Sequence, residues 1–193
     1  AIEDLNGKKF AFTDPASTSG YILPLRLFKE KNIKLGQTVF AQKHDNVVTM
    51  VYQKQVDAGA TFFSPAISVE KDGKQVLEIR DARSRVMTQF PDVEEKVKII
   101  GFTKEIPNEP WVLRRGILKD KAKDDELRNA VAEAILAYSQ TEEGKKYLRE
   151  TYDTYGLKPV SDSTYSEIRQ VIASSDLNLE QMVGKEAEKK KKN

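Results

Sequence analysis

The junction Asp14-Pro15-Ala16-Ser17-Thr18-Ser19-Gly20-Tyr21 constrains the fold of this chain more than any other segment. Before it, Lys9-Phe10-Ala11-Phe12-Thr13 has the apolar alternation of a short strand. After it, Ile22, Leu23, Leu25, Leu27 and Phe28 supply the apolar surface of a helix over 18–31. Pro15 and Gly20 punctuate the turn, and three consecutive hydroxyl residues fall where a helix leaves its first N–H groups unpaired. Those N–H groups and the positive end of the helix dipole attract phosphate-like anions. No Lys or Arg lies between Phe10 and Leu25, so an anion held here is held by neutral donors. Local chemistry leaves two readings open: an anion site, or a well-capped helix after a turn.

The pattern continues as alternating strand and helix. Residues 38–41 read as a strand, 45–54 as a helix and 56–63 as a buried strand in which Gly59 permits close backbone approach. A β-α-β-α-β order implies a parallel sheet with helices on its faces. Ligands of such sheets bind beyond the carboxyl ends of strands, where Ser17–Ser19 and His44 both fall. The charged stretch from Val69 to Asp81 contains Asp72-Gly73, a turn signal that predicts a hairpin. Residues 97–102 and 111–114 read as strands, with Pro107 and Pro110 bracketing a stiff crossover between them. The remainder reads as helix: 122–138, then a helix from Thr141 through Glu150, then short amphipathic helices over 165–173 and 177–183.

Composition narrows the function classes. Acids and bases nearly balance at a formal charge of +2, which gives no basic excess for nucleic acid. No apolar run reaches membrane-spanning length. The absence of cysteine excludes disulfides and thiolate metal sites. The lysine-rich stretch 185–193 reads as a solvated charged tail.

The string strand-DPASTSGY-helix resembles the phosphate/phosphite/phosphonate-binding family of ABC-transporter substrate-binding proteins, whose signature is D-P-x-S-T-S-G-Y. The likeness continues through Val39–Val48, Gln55–Ala60, Thr88–Val93, Ile106–Pro110 and Thr141–Lys146, in order along almost the whole chain. The resemblance implies an α/β fold of the type II periplasmic-binding-protein kind, with one complete doubly wound lobe and the C-terminal part of a second. It assigns residues 1–104 to the second lobe, 105–184 to the crossover and the mainly helical C-terminal part of the first lobe, and 185–193 to the tail. Ala1–Lys9 resembles the segment leading into the second lobe, with Leu5 and Gly7 in the familiar places. The resemblance thus implies that a signal or lipid anchor and most of the first lobe lie upstream. It further implies an extracytoplasmic location, a permease partner in the membrane, no cofactor, and self-association of a chain lacking the rest of its first lobe.

For the site, the resemblance implies that Ser17, Thr18 and Ser19 donate to a phosphorus oxyanion. His44, the sole histidine, reads from its position alone as a surface or capping residue; in relatives a histidine at this motif position contacts the anion. Glu109 stands where relatives carry an acid, commonly aspartate. It suits either a solvated hinge or a hydrogen bond from a P–OH or ligand amine. Ser64 departs from the pattern, because aminoalkylphosphonate binders tend to carry an acid soon after the strand at 56–63. Phe62 and Phe63 read as core, Asp57 as structural, and Arg80, Arg83 and Arg85 as a solvated face. No nucleophile–base pair, paired-histidine metal spacing or phosphate-loop glycine pattern is present, so binding rather than catalysis is expected. The resemblance implies an importer subunit first, with the sensor module of a signalling protein as the alternative and a biosynthetic enzyme on the same two-lobed fold a distant third.

Overall fold

The computed structural model describes residues 1–173. Phe10–Phe12 (β1) is buried at every position, as expected of a strand covered on both faces. It lies between Thr38–Phe40 (β2) and Ala58–Gly59 (β3) and pairs in parallel with each. The register sets Phe10 against Thr38 and Ala58, and Ala11 against Val39 and Gly59. Because alternate side chains leave a strand on opposite faces, Phe10 and Phe12 join Phe28 and Ile33 in one core cluster, under the helix Leu23–Glu30 (α1). Ala11 joins Val47 and Val56 in another, under the helix His44–Tyr52 (α2). Gly59 is required by this second layer, since a Cβ there would run into Val47 and the Ala11 carbonyl.

A third cluster joins the far side of α2, through Val48, to Ala82, Val86 and Val93. Ala82 and Val86 belong to a 3-10 turn over Ala82–Val86, and Val93 opens the short helix Val93–Lys96 (α3). The hairpin expected around Asp72-Gly73 is present, with Ile67–Lys71 (β4) antiparallel to Lys74–Glu78 (β5). All these elements lie in one compact unit, Ala1–Glu105 with residues 167–173.

The second unit is Ile106–Ser166. Its helices are Lys121–Gln140 (α4) and Glu142–Tyr152 (α5). Asp120 caps α4 by accepting from the Ala122 and Lys123 N–H groups at 3.0 and 3.1 Å. Thr141 caps α5 as its position predicts, accepting from the Gly144 N–H at 3.0 Å. The last helix among the described residues, Ser166–Ala173 (α6), begins at the boundary between the units.

Three expected strands are corrected. Residues 97–102 and 111–114 carry strand-forming side chains but pair with no strand among the described residues. Ile99, Ile100, Phe102, Trp111, Val112 and Leu113 are accordingly exposed. The strand at 56–63 contracts to Ala58–Gly59. β-propensity describes a fit to a pleated, half-covered surface, so without a neighbour it does not make a strand. The expected helix over 177–183 and the tail at 185–193 lie outside the described residues.

Candidate anion-binding site

The site begins where β1 ends. The Asp14 carboxylate accepts from the Ala16 N–H at 2.9 Å, and the Asp14 carbonyl accepts from the Ser17 N–H at 3.1 Å, which turns the chain sharply. Ser17 stays extended at φ −71° and ψ 119° and caps the helix, its Oγ accepting from the Gly20 N–H at 3.0 Å. The Ser17 carbonyl takes both the Tyr21 and Ile22 N–H groups at 3.0 Å, widening the first turn to a π-helical one over Thr18–Ile22. That turn runs directly into α1, where Pro24 sits near the start and sacrifices no needed donor.

Widening has a chemical consequence. Among the described residues, the N–H and hydroxyl groups of Thr18 and Ser19 have no protein partner. Four donors are therefore gathered on a half-buried helix start, where the dipole adds to their attraction for an anion. The Ser17 hydroxyl, occupied as an acceptor, retains its own proton to donate.

Thr13 ties this turn to the next strand crossings. Its N–H donates to the Gly20 carbonyl at 3.2 Å, and its hydroxyl donates to the Ala60 carbonyl at 3.2 Å. The same hydroxyl oxygen lies 3.3 Å from His44 Nδ1. His44 opens α2 just beyond β2, so the carboxyl ends of all three parallel strands converge here, at the reversal of strand order. Gly20 makes the packing feasible, because a Cβ at that position would collide with the Thr13 side chain.

His44 is held from two sides. The Phe62 N–H donates to Nδ1 at 3.2 Å, and the Phe62 ring meets the imidazole edge-on with centroids 5.0 Å apart. Desolvation of the half-buried ring, and then repulsion from the Arg85 guanidinium, hold its pKa below the usual imidazole value. Asp14 and Asp45 pull more weakly in the opposite direction. An Nδ1 that accepts leaves the ring proton on Nε2.

Sequence reasoning anticipated Ser17–Ser19 and His44 as neighbours of the strand ends, and Thr13 joins the two groups. Glu109 is exposed and belongs to the Ile106–Ser166 unit, whereas Ser17–Ser19, Thr13 and His44 belong to the other. Thr13 itself was missed; a hydroxyl residue closing a fully buried strand was the available signal. The three arginines are not one solvated face. Arg83 forks onto buried Asp81 at 2.8 and 2.9 Å and donates to the Val97 carbonyl at 3.2 Å. Burial pushes the Asp81 carboxyl up, but its hydrogen bonds to Arg83 outweigh that and hold it below the usual carboxylate range. Asp57 is structural in its contact, accepting from the Lys9 N–H at 2.8 Å. Among the described residues no group of three His, Cys, Asp or Glu could hold a metal ion, and no helix is long and apolar enough to cross a membrane.

Comparisons with known proteins bear on the fold and the family. PhnD1 from Prochlorococcus marinus (MIT 9301), solved in complex with methylphosphonate, is similar with a TM-score of 0.62 and 16% identity. The match covers 88% of this chain and 57% of that one. XAC2383 from Xanthomonas citri, solved bound to chloride ion and to ATP, is similar with a TM-score of 0.59 and 17% identity. Those matches cover 90% of this chain and 59% and 60% of the two XAC2383 chains. At such identities the likeness establishes the α/β periplasmic-binding fold, and the chain spans under two thirds of each of these structures. Residues 1–165 match the family model described as "ABC transporter, phosphonate, periplasmic substrate-binding protein", a family of transporter binding components rather than enzymes. With a match running from its first residue through the signature turn, Pro107, Pro110 and α5, the chain belongs to the phosphonate-binding periplasmic substrate-binding proteins of ABC transporters.

Proposed function

We propose that the whole protein is the substrate-binding component of an ABC importer, working on the extracytoplasmic side of a membrane and delivering a small phosphorus oxyanion to a permease. The observation that carries this reading is the set of unpartnered Thr18 and Ser19 donors at the start of a continuous helix. Ser17, Thr18 and Ser19 surround the anion with hydroxyl and N–H donors, and His44 adds its Nε2–H. Glu109 accepts from a protonated P–OH. Residues 1–104 form the lobe that carries the cradle, and the unit Ile106–Ser166 belongs to the crossover and the partner lobe, which closes on the ligand by a hinge. Exclusion of water then strengthens each donor–oxygen contact.

Ligand class follows from Ser64. The segment after β3, Thr61-Phe62-Phe63-Ser64-Pro65, has no carboxylate to pair with an amine. Phosphonates without an amine, phosphite and phosphate are the ligands such a site favours. Calorimetric titration of the full-length protein with methylphosphonate, phosphite, phosphate and 2-aminoethylphosphonate tests this. Methylphosphonate, phosphite or phosphate should bind more tightly than the aminated compound. Absence of heat with all four overturns the importer reading, whereas equal or tighter binding of 2-aminoethylphosphonate overturns the ligand class alone. This chain by itself, with Trp111, Val112 and Leu113 exposed on backbone that pairs with no strand among the described residues, should self-associate in a concentration-dependent light-scattering series.

A further inference from the structure

His44 Nδ1 receives the Phe62 N–H, so the orientation of the imidazole depends on where the 61–63 segment lies. That segment is braced from outside. The Arg85 guanidinium lies over the Phe62 ring, 4.7 Å from its centroid. Arg83, on the same 3-10 turn, is neutralised by Asp81, and Asp81 in turn caps that turn through the Arg83 N–H. Arg85 is differently placed: among the described residues no carboxylate pairs with it. The turn thus uses one arginine to anchor itself and leaves the next as an uncompensated charge beside His44.

We infer that Arg85 is a specificity-determining residue of the anion site: seated on Phe62, it positions the backbone that fixes His44 as a single Nε2–H donor, and it supplies a permanent positive charge to a cradle of neutral donors. The inference rests on the reading of Ser17–Ser19 and His44 as that cradle. Hydroxyl, amide and neutral imidazole donors recognise oxygen geometry but discriminate weakly between singly and doubly charged oxyanions. A guanidinium stays charged at every accessible pH and adds a Coulomb preference for the more highly charged form. The groups facing His44 divide accordingly. Desolvation, and then Arg85, disfavour its protonation, while Asp14 from the turn after β1 and Asp45 from α2 favour it more weakly. The positive charge near the ligand therefore sits on Arg85 and not on the imidazole.

His44 is the sole histidine of this chain, and its ring resonances in the full-length protein are those lost in His44→Ala. Imidazole nitrogen NMR on the full-length, ligand-free protein should find the Nε2–H tautomer, and Arg85→Gln should move the His44 midpoint upward. The same variant should bind methylphosphonate about two- to fivefold more weakly, with a shallower dependence on salt. Arg85→Lys keeps the charge and should fall between Arg85→Gln and wild type in both measurements. An Nδ1–H tautomer, or a His44 midpoint and methylphosphonate affinity both unchanged in Arg85→Gln, overturns the inference. Thr18→Val and His44→Ala measured alongside separate the two levels. If these also bind methylphosphonate normally, the cradle itself is misassigned; if they weaken while Arg85→Gln does not, only the role of Arg85 fails.

Discussion

Thr13 and Gly20 lock the signature turn to the end of β1: the Thr13 N–H donates to the Gly20 carbonyl at 3.2 Å, and the space beside the Thr13 hydroxyl admits no side chain at position 20. Gly20→Ala should therefore push the turn off the strand. We expect destabilisation of about 1–3 kcal/mol from overpacking, together with loss of ligand affinity as the Thr18 and Ser19 donors are displaced. Thermal melts and calorimetry on the full-length variant check this, and an unaltered melting temperature would count against the packing described here.

Thr18 and Ser17 separate binding from capping. The Thr18 hydroxyl has no protein partner among the described residues, so Thr18→Val should leave stability nearly unchanged. A hydrogen bond to a charged acceptor is worth roughly 1.5–3 kcal/mol, so affinity should fall by about one to two decades. Ser17→Ala removes the acceptor of the Gly20 N–H as well and should also lower stability, by about 0.5–2 kcal/mol. Melting temperature and dissociation constant measured on the same two variants distinguish the roles; normal affinity in both would move the anion elsewhere.

His44 predicts a pH dependence of stability. Its pKa is lowered from 6.5, so between the folded value and 6.5 the unfolded chain binds more protons than the native one. Its contribution is complete above that range and is lost as pH falls through the folded pKa. His44→Asn keeps an acceptor for the Phe62 N–H and removes the titration. Lowering the pH from about 7.5 to about 5.5 should cost wild type more stability than the variant. Parallel curves for the two proteins would contradict the assignment.

Asp124 holds a loop in the Ile106–Ser166 unit. Its carboxylate accepts from the Gly116, Ile117 and Leu118 N–H groups at 2.9, 2.7 and 2.9 Å. The Leu118 N–H, then that of Gly116, outweigh desolvation and keep its pKa below the usual carboxylate value. The stabilisation is therefore present above an ordinary aspartate pKa and lost as pH falls through the lowered one. Asp124→Asn should speed hydrogen exchange at those three amides by an order of magnitude or more while α5 exchanges as before. Equal protection in the variant would mean that the loop is held by something else.

How much of this was legible depended on the range of each interaction. β1, the turn after it and the amphipathic α1 could be read because alternation, proline, glycine and capping residues act within a few positions. The hairpin at Asp72-Gly73 was legible for the same reason. Residues 97–102 and 111–114 misled because their composition suits a strand, but a strand also needs a neighbour, and composition does not say whether one is there.

The sequence by itself determined that hydroxyl donors stand at a helix start after a buried strand, since nearest-neighbour sterics and helix-end chemistry suffice for that. It also determined, through its order of strands and helices, that the strand ends share one edge of a parallel sheet. Only the tertiary structure decided that Phe62 selects the tautomer of His44, that Thr13 joins that histidine to the turn, and that Arg85 stands against Phe62 while Arg83 is spent on Asp81. Apart from Arg83–Asp81, which are two residues apart on one turn, each of those contacts joins separate segments, and a hydrogen bond or ring contact of that kind leaves no periodic mark on the chain.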